Sequence, residues 1–108
     1  MTIKVLLLKS GEDVIADVKE LVSPDKKVIG YFLEKPCVVK MHNTENLTPE
    51  QLDPKKPERK SEFSVTMYPW MPIAKENTIP LATDWVVTMV TPVEKIYDMY
   101  KEDILENG

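Results

Sequence analysis

The sequence predicts a mostly β domain, a small bent five-stranded barrel followed by a C-terminal α-helix. Apolar residues recur at every second position in several short segments, which is the period of a half-buried strand. Turn-forming Ser, Gly, Pro and Asp separate these segments. The spacing becomes helical only near the end of the chain. A length of 108 residues predicts a single domain over residues 1–108.

Composition and charge narrow the functional classes. Hydrophobic residues make up 43% of the chain, which is typical of globular proteins, and the formal net charge is −4. Binding of double-stranded DNA is not expected, since it depends on neutralising many phosphates. The apolar run at residues 5–8 is too short for a signal peptide or a membrane span, so no membrane association is expected. The one cysteine, Cys37, fits a reducing compartment, which predicts a cytoplasmic protein.

The first two predicted strands form a hairpin. Residues 2–8 (TIKVLLL) are apolar on both faces, with Ile3 on one and Leu6 on the other, which favours a strand covered twice. Gly11 supplies the turn because it tolerates positive φ. Residues 13–22 then alternate as a second strand.

The third predicted strand is long and bent. It covers residues 28–41, after a turn at residues 23–27 (SPDKK). Gly30 and Pro36 interrupt its alternation, and both favour a bulge or a bend. Parity predicts one shared face for Tyr31, Leu33, Cys37, Val39 and Met41.

The remaining β segments follow a long variable loop at residues 43–62, which is rich in proline and charge. Strand character resumes at residues 63–73, with prolines that bend the strand or confine it to an edge. The last β segments are predicted at residues 79–81 and 84–90. Trp85, Val87 and Met89 are expected on one side of the final segment.

A C-terminal helix is predicted at residues 92–106. Thr91 is the expected N-cap, Pro92 the first helical residue and Glu94 the partner in a capping box. The helix carries one apolar stripe, formed by Val93, Ile96, Tyr97, Tyr100 and Ile104.

The opening stretch VLLLKSGEDVIADV (residues 5–18) resembles the first motif of the Sm and Sm-like proteins, small barrels of the SH3 type. The motif combines apolar alternation, a Lys-x-Gly turn and a second alternating strand, matched here in order by Lys9, Gly11, Val14, Ala16 and Val18. Ala16 stands where the family has glycine.

A second stretch, LATDWVVTM (residues 81–89), resembles the second Sm motif in its spacing, with Ala82 and Thr83 in place of Arg and Gly. Together the resemblance covers residues 3–41 and about 63–90. The chain resembles Sm-like proteins of marine phage and metagenomic origin. In most Sm proteins a helix precedes the first strand, whereas here the predicted helix follows the last.

The resemblance implies a closed homo-oligomeric ring that binds single-stranded RNA. Family members hold RNA with two loops, one carrying Asp-x-Met-Asn and the other Arg-Gly. The corresponding residues here are Asp25, Lys26 and Lys27 in the first loop, and Thr83 and Asp84 in the second. Lys26 and Lys27 would supply the positive charge that the missing Arg does not.

A second function class stays open, a structural or protein-interaction ring without RNA binding, such as a phage-related assembly or host-interaction factor. The acidic balance and the missing Arg-Gly favour it.

Tyr68 and Trp70 are predicted to share the face opposite the core-facing residues, where they could contact a ligand or pack in a subunit interface.

No catalytic, cofactor or metal site is predicted. Cys37 and His42 lack the further ligands that zinc needs, and His42 is the only histidine available as a base. The chain is therefore not expected to be an enzyme.

Overall fold

The computed structural model describes residues 1–43 and 63–106. These residues form one antiparallel sheet followed by a C-terminal helix, so the prediction of a mostly β fold with a terminal helix is confirmed. The strands are β1 (Ile3–Leu8), β2 (Asp13–Val22), β3 (Val28–Asn43), β4 (Phe63–Pro69), β5 (Thr78–Ala82) and β6 (Val86–Val90). The predicted loop 43–62 lies outside the described residues, except that Asn43 ends β3.

The sheet has six strands and is open, so the predicted closed five-stranded barrel is wrong. Its order is β4-β3-β2-β1-β6, and β5 pairs separately with β3. Within the described residues, β4 and β6 lie at opposite ends of this order without pairing to each other. The strand predicted at residues 63–73 ends at Pro69, because a proline has no N–H to donate to a ladder. After β4 the chain turns, and β5 then pairs with the first half of β3.

The long strand β3 bends where its sequence predicts it to bend. The β2–β3 register shifts between Ile15 and Asp17, where an extra residue is inserted at Lys35–Pro36, and again close to Gly30. Lys35 has a φ of 47°, in the left-handed region. The bulge moves the side chains that follow to the opposite face of the sheet.

This bulge overturns the predicted common face of the alternating β3 residues. Leu33 belongs to one apolar cluster, whereas Cys37 and Val39 belong to another on the opposite side. Parity counted from the sequence fails across a bulge, because each inserted residue reverses it.

Two apolar clusters cover the two faces of β1, which confirms the prediction that this strand is covered twice. The first cluster lies inside the bent sheet and joins Leu6 and Leu8 to Leu81 of β5. The second lies under the helix and joins Ile3 and Ile15 to Tyr100. Tyr100, Leu6 and Ile15 are fully buried.

The helix begins two residues later than predicted and without the predicted capping box. It comprises α1 (Glu94–Tyr100), with Val93 as N-cap and no side-chain cap, and continues as one π-helical segment over Lys101–Leu105. The Thr91 hydroxyl instead accepts a 2.7 Å hydrogen bond from Lys4 Nζ on β1. The predicted stripe packs on the second cluster through Ile96, Tyr97, Tyr100 and Ile104, whereas Val93 is 70% exposed.

The segment around β6 also departs from simple alternation. Residues Thr83–Trp85 form a 3-10 turn before β6, so Trp85 is not in a strand. The β1–β6 register shifts between Leu7 and Leu8. As a result Val86 and Met89 pack on the first cluster while Val87 is 59% exposed, and the predicted common side for Trp85, Val87 and Met89 is wrong.

Candidate functional site

The two predicted RNA-binding loops lie at the same end of β3. The first loop, at residues 23–27, comes immediately before Val28, where β3 starts. The second loop follows β5, whose last residue Ala82 pairs with Gly30 of β3. Because β5 runs antiparallel to β3, the 3-10 turn at Thr83–Trp85 leaves the sheet beside the beginning of β3. The fold thus brings together loops that are far apart in sequence.

Close packing at Gly30 holds β5 in this position. A Cβ built on Gly30 would lie 3.1 Å from the carbonyl oxygen of Leu81, tighter than ordinary van der Waals contact. Glycine therefore lets the β5 backbone approach β3 at the point from which the second loop departs. No sequence motif marks this role, because it depends on a distant strand.

The first loop is a hydrogen-bonded turn with a lysine at its tightest position. The Ser23 N–H donates to the Lys27 carbonyl at 2.8 Å, and the Lys26 N–H donates to the Ser23 carbonyl at 2.9 Å. Lys26 has a φ of 63°, the left-handed conformation that often closes a short hairpin loop. The turn predicted at residues 23–27 is confirmed.

The predicted site residues differ in exposure. Asp25, Lys26 and Lys27 are exposed, as is Asp84, while Thr83 is half-buried. The two lysines, Lys26 and Lys27, and the two aspartates, Asp25 and Asp84, carry equal and opposite charges, so these site residues have no net charge. It can offer ammonium groups to phosphate and carboxylates to hydrogen-bond donors, but it is not a strongly basic surface.

Trp85 is a candidate contact residue that the sequence reasoning missed at this site. It ends the 3-10 turn next to Asp84 and is 43% exposed, and its carbonyl accepts a 3.0 Å hydrogen bond from the Lys9 N–H. An exposed indole in the second loop is a surface on which a base or an apolar group can stack. The signal in the sequence is a tryptophan inside the second motif, but alternation predicts a strand there and hides its place in the loop.

Apolar side chains also surround the first loop. They are 37% to 53% exposed and flank the turn on β2 and β3: Leu21, Val22, Val28 and Ile29. Clustered exposed apolar residues are typical of contact surfaces for proteins. The loop is therefore apolar at its base and charged at its tip.

The predicted aromatic pair lies elsewhere and is split between two environments. Tyr68 pairs with Val38 in the half of β3 beyond the bulge, away from the two loops. It is 42% exposed, with Lys40 Nζ 5.8 Å from its ring centroid. Trp70 is half-buried and packs on the first apolar cluster. Only Tyr68 is thus available for contact with a ligand.

Cys37 and His42 are not brought together with other metal-binding side chains. Among residues 1–43 and 63–106, no group of three His, Cys, Asp or Glu is placed to hold a metal ion. The His42 ring is hydrogen-bonded to the Thr66 hydroxyl at 3.1 Å. Cys37 is buried, and burial raises the pKa of its thiol, which keeps it in the less reactive protonated form at neutral pH.

A wide groove of about 900 Å³ lies on the far side of the molecule from the two loops along β3. Its walls come from the β1–β2 turn, the second half of β3 and the segment that joins β6 to the helix. Tyr68 and Lys40 border it.

Neither helical segment of the described chain has the length and apolar character needed to cross a lipid bilayer.

These features define a small mostly β protein with a C-terminal helix and an exposed two-loop surface. The chain belongs to DUF6561, a family of unknown function, whose model matches residues 1–105. The match spans every strand and the helix. No curated protein matches the chain.

Proposed function

We propose that this protein is an Sm-like subunit that assembles into a closed homo-oligomeric ring and uses the two-loop surface to bind single-stranded RNA. The role is binding and not catalysis. The observation that carries the assembly is that no described strand pairs with the outer edges of β4 and β6. The observation that carries RNA binding is the convergence of the two loops at one end of β3.

Free edges on different strands favour assembly of identical copies. β4 and β6 end the strand order, and each is hydrogen-bonded on one side only within the described residues. β6 (VVTMV) has no charged residue or proline to block pairing with another strand. A contact between two different edges is head-to-tail, and it either closes into a ring or continues as a filament. In a closed ring, every copy has both of its contacting edges paired.

RNA binding is supported by the chemistry of the two loops. Lys26 and Lys27 can contact phosphates, and Trp85 can stack on a base. Thr83 and Asp84 can hydrogen-bond the polar edge of that base. A ring repeats this small site in every copy, so weak contacts add along one strand of RNA.

A protein-interaction ring without RNA binding is the second candidate. It is favoured by the exposed apolar residues at the base of the first loop and by the balance of lysines and aspartates. A phage-related assembly or host-interaction factor would use such a surface.

Fluorescence polarisation with labelled oligo-U and oligo-A at two salt concentrations separates the two candidates. RNA binding through phosphates weakens with added salt, by a slope of about 0.7 for each phosphate neutralised on a single strand. The Lys26→Ala/Lys27→Ala variant should lose this binding. The control variant Lys75→Ala/Lys95→Ala removes equal charge from exposed positions outside the two loops and should keep it.

Native mass spectrometry of the unsubstituted protein tests the ring independently of RNA. One closed oligomer is expected. A monomer at micromolar concentration would contradict the assembly, and a ring without affinity for either oligonucleotide would leave the protein-interaction role in place of RNA binding.

A further inference from the structure

Part of β3 lacks a neighbour on one side. The β2–β3 ladder ends at the pair Val14–Val38, because β2 begins there, directly after the turn that joins it to β1. β3 continues to Asn43 with β4 on its other side. Within the described residues, the edge of Val39–Asn43 that faces away from β4 is therefore unpaired. An unpaired row of backbone N–H and C=O groups is a template for another strand.

The groove of about 900 Å³ lies against this free edge. Met41, which is 63% exposed, borders it on β3, and Val90, Val93 and Ile96 border it on the opposite wall. This volume is near the upper limit for small-molecule sites, which makes the groove large enough for a short chain segment. The lining is mostly apolar, with Glu12, Asp13 and Lys40 as its charged members, and this favours an uncharged occupant.

One strand of the chain matches these requirements. β6 has five residues (VVTMV), as has the free stretch from residue 39 to residue 43, and it carries no charge. Val87 and Val90 of β6 are 59% and 50% exposed, so they gain burial by pairing. The outer edge of β6 is free among the described strands. Both partners of the contact thus have an unused edge of equal length.

We infer that β6 of a second copy adds to the free edge of β3 at Val39–Asn43 and fills this groove. The inference rests on the proposed ring and assigns its interface. It places the contact on β3 and leaves the outer edge of β4 free. The donor and acceptor edges lie on different strands, so the contact is head-to-tail and can propagate around a ring.

Cysteine cross-linking distinguishes the two possible acceptor edges. Met41 is the central residue of the free β3 stretch, Thr88 the central residue of β6 and Thr66 the central residue of β4. Central residues face each other whether the strands pair parallel or antiparallel. In a Cys37→Ala background, Met41→Cys/Thr88→Cys should give a ladder of linked chains on a non-reducing gel after oxidation. Thr66→Cys/Thr88→Cys is the matched control and should stay largely monomeric.

The outcomes separate this inference from the proposed ring. A ladder from the Thr66 pair alone, or from neither pair in a protein that native mass spectrometry finds oligomeric, would overturn the β3 contact and leave the ring standing. A monomeric unsubstituted protein would overturn both. If the Cys37→Ala background does not fold, lysine substitutions in the unsubstituted protein replace it: Met41→Lys should abolish the oligomer and Thr66→Lys should preserve it. The reverse result would overturn the inference.

Discussion

The hydroxyl of Tyr100 donates a hydrogen bond of 2.8 Å to the carbonyl oxygen of Glu34, which joins the C-terminal helix to the bend of β3. The same hydroxyl lies 3.0 Å from the carbonyl oxygen of Lys35 and shares its hydrogen between the two. Glu34 and Lys35 lie at the bulge, and the buried phenol donates to the carbonyls of both residues. The helix therefore stabilises the bend that organises the sheet.

Removing this hydroxyl should destabilise the fold. We expect Tyr100→Phe to lower the free energy of unfolding by about 1–3 kcal/mol, because the Glu34 carbonyl loses this donor and the Lys35 carbonyl keeps only the long 3.7 Å bond from the Cys37 thiol. The measurement is urea denaturation followed by circular dichroism. Tyr97→Phe is the control, since Tyr97 packs half-buried in the same cluster and its hydroxyl makes no hydrogen bond within the described residues. Equal losses for the two variants would contradict the role of the Tyr100 bond.

Stability should fall at alkaline pH because of the same residue. Burial raises the pKa of Tyr100 well above the ordinary tyrosine value of 10.0; a backbone hydrogen bond from Asp17 offsets part of this rise, and nearby negative charges add to it. The folded protein keeps the phenol protonated while the unfolded chain ionises, so the stabilisation is complete below about pH 10 and is lost as the pH rises further. Each pH unit above the unfolded pKa costs about 1.4 kcal/mol.

The test is a series of urea midpoints between pH 8 and pH 11.5 for the unsubstituted protein and Tyr100→Phe. The difference between the two should shrink with rising pH and disappear or change sign in the most alkaline samples. A constant difference would show that Tyr100 ionises as easily in the folded state as in the unfolded one.

The contact between Gly30 and Leu81 should be sensitive to a single methyl group. In Gly30→Ala the new Cβ lies 3.1 Å from a backbone oxygen, so β5 must move away from β3. We expect a loss of about 1–3 kcal/mol, typical of overpacking, and faster hydrogen exchange of the β5 amides. Thr88→Ala, at an exposed strand position, should change stability by less than about 0.5 kcal/mol. Unchanged β5 exchange would mean that the strand is not held by this approach.

The two adjacent lysines of the first loop should respond to glycine in opposite ways. Lys26 has positive φ, which costs a non-glycine residue about 1–2 kcal/mol. Glycine relieves this strain, and its entropic cost of roughly 0.5–1 kcal/mol is smaller, so Lys26→Gly should raise the thermal midpoint. Lys27 is not among the positive-φ residues, and Lys27→Gly should lower the midpoint. Matching shifts in both variants would contradict the turn geometry.

Local patterns were sufficient for much of the secondary structure. Alternation predicted β1, β2 and the two apolar faces of β1, and turn chemistry predicted the loops at Gly11 and at residues 23–27. Pro36 and Gly30 marked the bends of β3 correctly. These features depend on φ preferences and on the period of side chains along one strand, which neighbouring residues decide by themselves.

The errors arose where distant strands meet. Inserted residues in β3 and β6 reversed the side of the sheet on which the following side chains lie. The predicted closed barrel failed because closure requires β4 and β6 to pair, and alternation along each strand does not decide that. The capping box failed because Lys4, distant in sequence, binds the Thr91 hydroxyl.

The sequence alone determined where the chain turns, where it extends and which residues are candidates for contact at Asp25–Lys27 and Thr83–Asp84. Tertiary structure decided that these loops share one end of β3, that Trp85 is exposed in the second loop and that no described strand pairs with the edge of Val39–Asn43 that faces away from β4. The physical reason is the range of the interactions: dihedral preferences act between neighbouring residues, whereas strand pairing and packing join residues that only the complete fold brings within reach.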